Sequence, residues 1–400
     1  MKRPSGHRIL AYVFFVSSVG YVAWNLPREL DKKDVERENR DDWERRLTAT
    51  KERLDHLSER DLERNQAEPI SPDTNGTVPE GTNENRRTTP KSETTENSVR
   101  IMIQSRFRTG STITERYFTK NPDFFGVHEP GGMLQRSIGA HIMEESRERL
   151  EKIKDELLGF MHDIFHCNFS SHDYFFYGLN NMPYYLFRAY LTNLKKPVTD
   201  QIITPVCRER PHKIIKVCRL FSILDAERLI REDGVKVIFL VRDPRGMAAS
   251  RMAFTNLYTP EENFQLAANG SFRLSDRLEN VVIQYCEWLL ENYIEPTGTP
   301  EWLQGRYLMI RYEDMENNRL EVVRQLYDFV GLSVNDAIVS DLDKGNNAQR
   351  WRKRLRIDEV IRVQELCGKA TFDKFGYKFA NTEEELLDEN SSLVVDWFDT

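Results

Sequence analysis

The sequence predicts an α/β domain in three layers: a central, mostly parallel sheet with helices on both faces. Three observations lead there. Five short β-rich runs alternate with helix-like stretches, the runs are apolar throughout instead of at every second residue, and no internal repeat breaks the alternation. Continuous apolar strands suit a sheet covered on both faces. Strands separated by helices require parallel crossovers.

In chain order, the first strand is 99–104 (VRIMIQ), followed by a loop and a helix over 111–120. A second strand covers 124–127, and 133–160 reads as mostly helical. Strands at 213–218 (KIIKVC), 235–241 (VKVIFLV) and 306–312 (RYLMIRY) are followed by helices at 223–231, 245–252 and 316–330.

The segment before residue 99 is of another kind. Residues 9–26 are eighteen in a row without a charge, enough to cross a hydrocarbon layer of about 30 Å at about 1.5 Å per helical residue. Lys2, Arg3 and Arg8 precede them, and Trp24, Asn25 and Leu26 stand where a cleavage site would need small residues. The charge bias sends the N-terminus to the cytosol and the rest to a lumen, as an uncleaved signal-anchor. The expected organisation is a cytoplasmic tail (1–8), a transmembrane helix (9–26), a stem (27–98), a catalytic domain (99–380) and an acidic tail (381–400). The stem's later half is rich in Pro, Thr, Asn, Gly, Ser and Glu, which bury too little to offset ordering entropy.

Composition narrows the function. With 39% hydrophobic and 30% charged residues the 400-residue chain can build a core, and its net charge of −7 argues against a general nucleic-acid binder. A lumenal location suits the sequons at Asn75, Asn168, Asn269 and Asn390. It also allows Cys167, Cys207, Cys218, Cys286 and Cys367 to form two disulfides with one thiol left over, in a pairing that spacing does not decide. No Cys-x-x-Cys pair is present, so no metal site is expected.

Two junctions carry the chemistry. The first strand runs into Arg108-Thr109-Gly110-Ser111-Thr112 and then a helix, a turn whose amides and helix N-terminus make an anion cradle. It lacks the Walker lysine, and Arg108 supplies the charge instead. The strand at 235–241 runs into Arg242-Asp243-Pro244-Arg245, with Pro244 suited to a first helical turn and Ser250 about two turns on. Arg242 then stands at a strand's carboxyl end, where open α/β sheets bind ligands.

Together, R-T-G-S-T (108–112) and R-D-P-R-x-x-x-x-S-R (242–251) resemble the two donor-binding signatures of the Golgi carbohydrate sulfotransferases. The nearest branch transfers to the 6-hydroxyl of galactose, N-acetylglucosamine or N-acetylgalactosamine and includes keratan- and chondroitin-sulfating enzymes. Phe124-Phe125-x-x-x-Glu129-Pro130, Lys216-x-x-Arg219, Cys286, Arg311-Tyr312-Glu313-Asp314, Trp351-Arg352, Cys367 and Gly376-Tyr377 extend the resemblance. The family commonly has Arg-Ser-Gly-Ser-Ser in the first loop, so Thr109 and Thr112 keep the hydroxyls. It usually has an apolar or aromatic residue where this chain has His128.

The resemblance implies a three-layer sulfotransferase domain using 3′-phosphoadenosine 5′-phosphosulfate (PAPS) as donor co-substrate and a glycan or proteoglycan as acceptor. It implies a Golgi membrane location and is compatible with a homodimer. Arg108 with Thr109, Gly110, Ser111 and Thr112 would hold the 5′-phosphosulfate, and Arg242 with Ser250 the 3′-phosphate. Glu129 would be the base, its pKa raised by partial desolvation, with His128 as rival; Lys216 would reach the phosphosulfate bridge. Trp351 with Arg350 and Arg352 would either join an adenine lid or belong to a packed C-terminal helix, and Arg311-Tyr312-Glu313-Asp314 would be a buried ion-pair corner. Competing readings are a nucleotide kinase on the same sheet, a silent glycan-binding relative, and transfer to tyrosine or another sugar position. The missing Walker lysine speaks against the first, and the joint presence of Arg108, Glu129, Arg242 and Ser250 against the second. Acceptor choice would lie in loops such as 167–194 and 255–272.

Overall fold

The computed structural model describes residues 98–138, 147–181, 197–253, 265–266, 272–273, 278–339 and 347–395. The main sheet has five parallel strands: β1 (Arg100–Gln104), β2 (Phe124–His128), β3 (His212–Val217), β4 (Lys236–Val241) and β5 (Tyr307–Arg311). Their order is β2-β3-β1-β4-β5. The principal helices are α1 (Ser111–Thr119), α2 (Pro130–Ile138), α3 (Arg147–Phe165), α4 (Glu227–Glu232), α5 (Pro244–Met252), α6 (Leu278–Asn292), α7 (Tyr312–Asn317), α8 (Arg319–Val330) and α9 (Ile357–Cys367).

Alternate side chains of each strand leave opposite faces, and both faces are buried, as the continuous apolar runs require. Met102, Val127, Ile215 and Val237 face a core with Leu157, Phe160, Met161 and Ile164 of α3. Ile101, Ile103, Ile214, Ile238 and Ile310 face a second core with Phe118 of α1 and Val322, Val323 and Leu326 of α8. The three layers follow.

Two disulfides, Cys167–Cys207 and Cys286–Cys367, leave Cys218 as a buried thiol. The first spans 40 residues, a closure that removes about 4 kcal/mol of unfolded-chain entropy. The second joins α6 to the end of α9.

The stretch expected as one helical run over 133–160 comes as α2 and α3, with 139–146 outside the described residues. The segment expected as an acidic tail from 381 is packed in its described part. Leu386 and Leu393 are buried beside Trp351 and Leu355, and Tyr377 bridges to Val394. Its acidic residues face out while those two leucines supply the anchorage. The expected anchor at 9–26 and nearly all of the stem lie outside the described residues, as do Asn75 and Asn269. Among the described residues no helix is long and apolar enough to cross a membrane. Asn168 and Asn390 are exposed.

Candidate active site

The β1–α1 junction is held by its own backbone. Ser105 N–H donates to the Val217 carbonyl at 3.0 Å, and the Arg106 guanidinium to the Cys218 carbonyl at 2.7 Å. Thr109 spends its hydroxyl on the Arg106 carbonyl at 2.7 Å, closing the turn. Arg108 and Gly110 then take left-handed conformations, φ 70° and 95°. Gly110 has a second reason to be glycine: a Cβ there would lie 2.3 Å from Cδ2 of Tyr312. The chain enters α1 directly, and first-turn helix amides have no intrahelical acceptor.

The β4–α5 junction meets it. Asp243 caps α5 by accepting from Arg245 N–H at 2.9 Å, and Pro244 follows at the first position. Arg242 donates through Nη1 to the Arg108 carbonyl at 2.8 Å. Arg108 Nε donates to Ser250 Oγ at 2.9 Å. The Arg242 guanidinium lies 4.3 Å from the Tyr312 ring centre. Tyr285 clamps the Arg242 backbone, accepting from its N–H at 2.9 Å and donating to its carbonyl at 2.8 Å. Arg242 Nε is buried and has no partner among the described residues. Gly246 is tight beside it: a Cβ would come within 3.1 Å of Arg242 Nε.

This corner is strongly electropositive. Burial and then Arg251 pull the Arg106 guanidinium down to about 9. Burial and then Arg242 lower Arg108. Arg219 and Arg251 stack on Phe107 at 4.9 and 5.4 Å. Cations crowded until their charge is disfavoured attract an anion.

Beyond β2 lies a second cluster. Glu129 takes φ 50°, a conformation that costs a non-glycine residue about 1–3 kcal/mol. Lys216 Nζ donates to its Oε1 at 2.6 Å and Arg219 Nη1 to its Oε2 at 2.8 Å. Burial alone would raise the carboxyl, but Lys216 and Arg219 outweigh it and hold Glu129 well below the usual carboxylate range. The raised pKa expected from desolvation is thus reversed by two cations. Lys216, expected to reach the phosphosulfate bridge, is buried. Burial opposes its charge, yet Cys218 and Glu129 more than offset that and raise it. His128 is the outermost member, its side chain 22% exposed against 5% for Glu129. Its Nδ1 lies 2.6 Å from Glu115 Oε2 on α1, and its Nε2 faces Lys216 Nζ at 3.4 Å.

Residues 100–354 match the family model described as "Sulfotransferase domain". The chain belongs to the sulfotransferase family. It is 28% identical to carbohydrate sulfotransferase 1 of Danio rerio over 350 residues, covering 74% of this chain and 82% of the relative. Against carbohydrate sulfotransferase 1 of Homo sapiens it is 24% identical over 347 residues, covering 74% and 83%. A solved retinol dehydratase, in complex with androsterone and inactive cofactor PAP, is 14% identical with a TM-score of 0.34, over 72% of this chain and 83% of that one.

In this sulfotransferase the structure brings Arg108, Thr109, Gly110, Ser111, Arg242 and Ser250 into one corner and Glu129 with Lys216 into the adjoining cluster. Thr112 sits exposed in the first turn of α1. Arg352 does not fit the expected lid. Its guanidinium donates to the carbonyls of Leu386, Ser391, Glu385 and Asp388, which makes it the clamp of the C-terminal segment. Trp351 is buried under Arg245, 4.5 Å from its guanidinium. Tyr285, Arg106 and Glu115 have no signal in the sequence, and Tyr312 is read there only as part of a buried corner, because nothing local marks which side chains the fold will bring against a residue.

The Arg311-Tyr312-Glu313-Asp314 corner is buried as expected, with Arg311 forked onto Asp314 by two bonds of 2.7 Å. Glu313 reaches the donor corner: it accepts from Asp243 N–H and from the Tyr377 hydroxyl, each at 3.1 Å. Burial, then Asp243, pushes its carboxyl from 4.5 up to about 7. The folded chain therefore keeps this proton up to about pH 7, whereas the unfolded chain releases it near 4.5. Its stabilising contribution is greatest in acid and is lost as pH rises through that window. We expect wild type to lose roughly 3 kcal/mol relative to Glu313→Gln between pH 4.5 and 7.5, measured by denaturant unfolding at each pH. Parallel curves for the two proteins would contradict the assignment.

Proposed function

We propose that the chain transfers the sulfuryl group of PAPS to a sugar hydroxyl, the 6-hydroxyl of galactose, N-acetylgalactosamine or N-acetylglucosamine, on a glycan or glycosaminoglycan. The same reading makes it a single-pass type II protein working in the Golgi lumen, for which the apolar run at 9–26 is the support. The carbohydrate acceptor is supported by the names of the relatives.

One observation carries the proposal: two βα junctions meet at the carboxyl ends of β1 and β4, leaving a buried Arg242 Nε with no partner among the described residues. An unsatisfied buried donor costs about 1–3 kcal/mol, and a phosphate oxygen at that atom removes the cost. The residues present therefore fit a nucleotide bearing phosphates at two positions.

When bound, PAPS supplies an activated sulfuryl group for in-line transfer, with charge spread over its equatorial oxygens as in phosphoryl transfer. Arg108 and the amides of Thr109, Gly110, Ser111 and Thr112 hold the phosphosulfate end and stabilise charge on the departing oxygen. Arg242 and Ser250 grip the 3′-phosphate and fix the register. Lys216 and Arg219, neutralised by Glu129, keep the wall beside the reacting group rigid.

The proton of the sugar hydroxyl goes to Nε2 of His128, which gives up its long 3.4 Å contact with Lys216 Nζ as the hydroxyl arrives. A base must be within reach of its substrate, and His128 is the exposed member, with Glu115 orienting the ring through Nδ1. Glu129 has both oxygens engaged and is held ionised as a weak base.

Two experiments follow. With labelled PAPS and a panel of desulfated chondroitin, keratan and N-acetylglucosamine-ended glycans, wild type forms product and Arg242→Ala raises the KM for PAPS about 10- to 150-fold, from about 1.5–3 kcal/mol for a charged contact. An unchanged KM, or no product on any glycan, would overturn the proposal. His128→Asn is expected to lower kcat about 100-fold while leaving affinity for adenosine 3′,5′-bisphosphate within twofold. Turnover within threefold of wild type would return the role of base to Glu129.

A further inference from the structure

At the opposite end of the sheet from this corner, where β4 begins, His162 in the last turn of α3 and His166 in the turn just after it face Asp233, the residue that caps the end of α4. His162 Nδ1 lies 2.8 Å from Asp233 Oδ2 and His166 Nε2 lies 2.9 Å from Asp233 Oδ1. All three donor atoms fall within 4.8 Å of one another.

The carboxylate is the telling member. Its side chain is 5% exposed, while the two imidazoles are 46% and 43% exposed. Buried carboxylates are paired with a cation or coordinate a metal. Here each oxygen faces an imidazole, and Arg100 donates to the main-chain carbonyl of Asp233 instead of the carboxylate. The donors are also held in place. Asp233 N–H donates to the Leu229 carbonyl at 3.1 Å, His166 N–H to the His162 carbonyl at 3.1 Å, and the Cys167–Cys207 disulfide pins α3 one residue beyond His166.

We propose that His162, His166 and Asp233 bind a divalent transition-metal cation, Zn²⁺ by preference, with water completing a tetrahedral shell. Two imidazoles and a carboxylate are a zinc donor set. Ligands at about 2.0–2.1 Å in tetrahedral array stand roughly 3.3 Å apart, so each imidazole needs to draw back from the carboxylate by a few tenths of an ångström. The half-exposed rings leave room for that and for an approach from solvent. The metal would tie α3 to the start of β4, linking positions 67 and 71 residues apart. It would act on stability and not on transfer, since the site lies at the strands' amino ends and the donor corner at their carboxyl ends. The cysteine spacing that argued against zinc does not bear on this cluster, which contains no thiolate.

The test uses the full-length chain, freed of metal with a chelator and dialysed. Titration with Co²⁺ is expected to give one saturable equivalent with visible d–d absorption, displaced by Zn²⁺. Thermal unfolding should shift upward by several degrees with Zn²⁺ in wild type and not in the His162→Asn/His166→Asn double variant, whose sulfuryl transfer stays within twofold of wild type. Single variants should weaken Co²⁺ binding at least tenfold. Absence of a saturable equivalent, or binding unchanged in the double variant, overturns the proposal.

Discussion

Everything in the donor corner depends on one hydrogen-bonded contact between two loops that are far apart in sequence. Arg242 holds the carbonyl of Arg108, and Arg108 holds the hydroxyl of Ser250. Through these bonds the β1–α1 turn and the β4–α5 turn become one surface. The strain of a left-handed Arg108 is tolerated because its carbonyl and its side chain are both tied down by the neighbouring junction. Tyr312 completes the lock: its ring excludes any side chain at position 110 and lies against the Arg242 guanidinium.

The electrostatics follow from that geometry. A cluster of arginines is desolvated at the ends of β1, β3 and β4. Asp243 neutralises Arg245, and Asp314 neutralises Arg311. Glu129 takes up Lys216 and Arg219. Among the described residues Arg242 retains a buried donor, Nε, without an acceptor. The named carboxylates thus lie in the ring of residues that supports the two junctions. Glu313 shows the cost of that packing: lodged against Asp243, it keeps a proton that an exposed glutamate would release.

Much of this was legible in the residues. The five strands were readable because a sheet covered on both faces needs unbroken apolar runs, and the junctions because glycine, proline and arginine mark turns at strand ends. What could not be read depends on distance along the chain. Tyr285 and Tyr312 are ordinary core aromatics until α6 and α7 carry them to Arg242. Glu129 seemed a desolvated acid because the sequence could not show Lys216 and Arg219 closing on it from β3 and the turn beyond. Arg352 looked like a ligand-binding arginine beside a tryptophan, yet four carbonyls of a segment some 35 residues later consume it. The His162, His166 and Asp233 cluster was invisible for the same reason, since Asp233 meets the two histidines only once α3 has packed across the sheet.

The two junctions form one binding surface, and a double-mutant cycle measures the coupling between them. Affinity for adenosine 3′,5′-bisphosphate would be determined for wild type, Arg108→Ala, Arg242→Ala and the double variant. Residues that share a hydrogen bond and a ligand should give losses that fail to add by about 1 kcal/mol or more. Losses that add to within about 0.3 kcal/mol would mean that the two arginines act at separate places, and the single corner described here would be wrong.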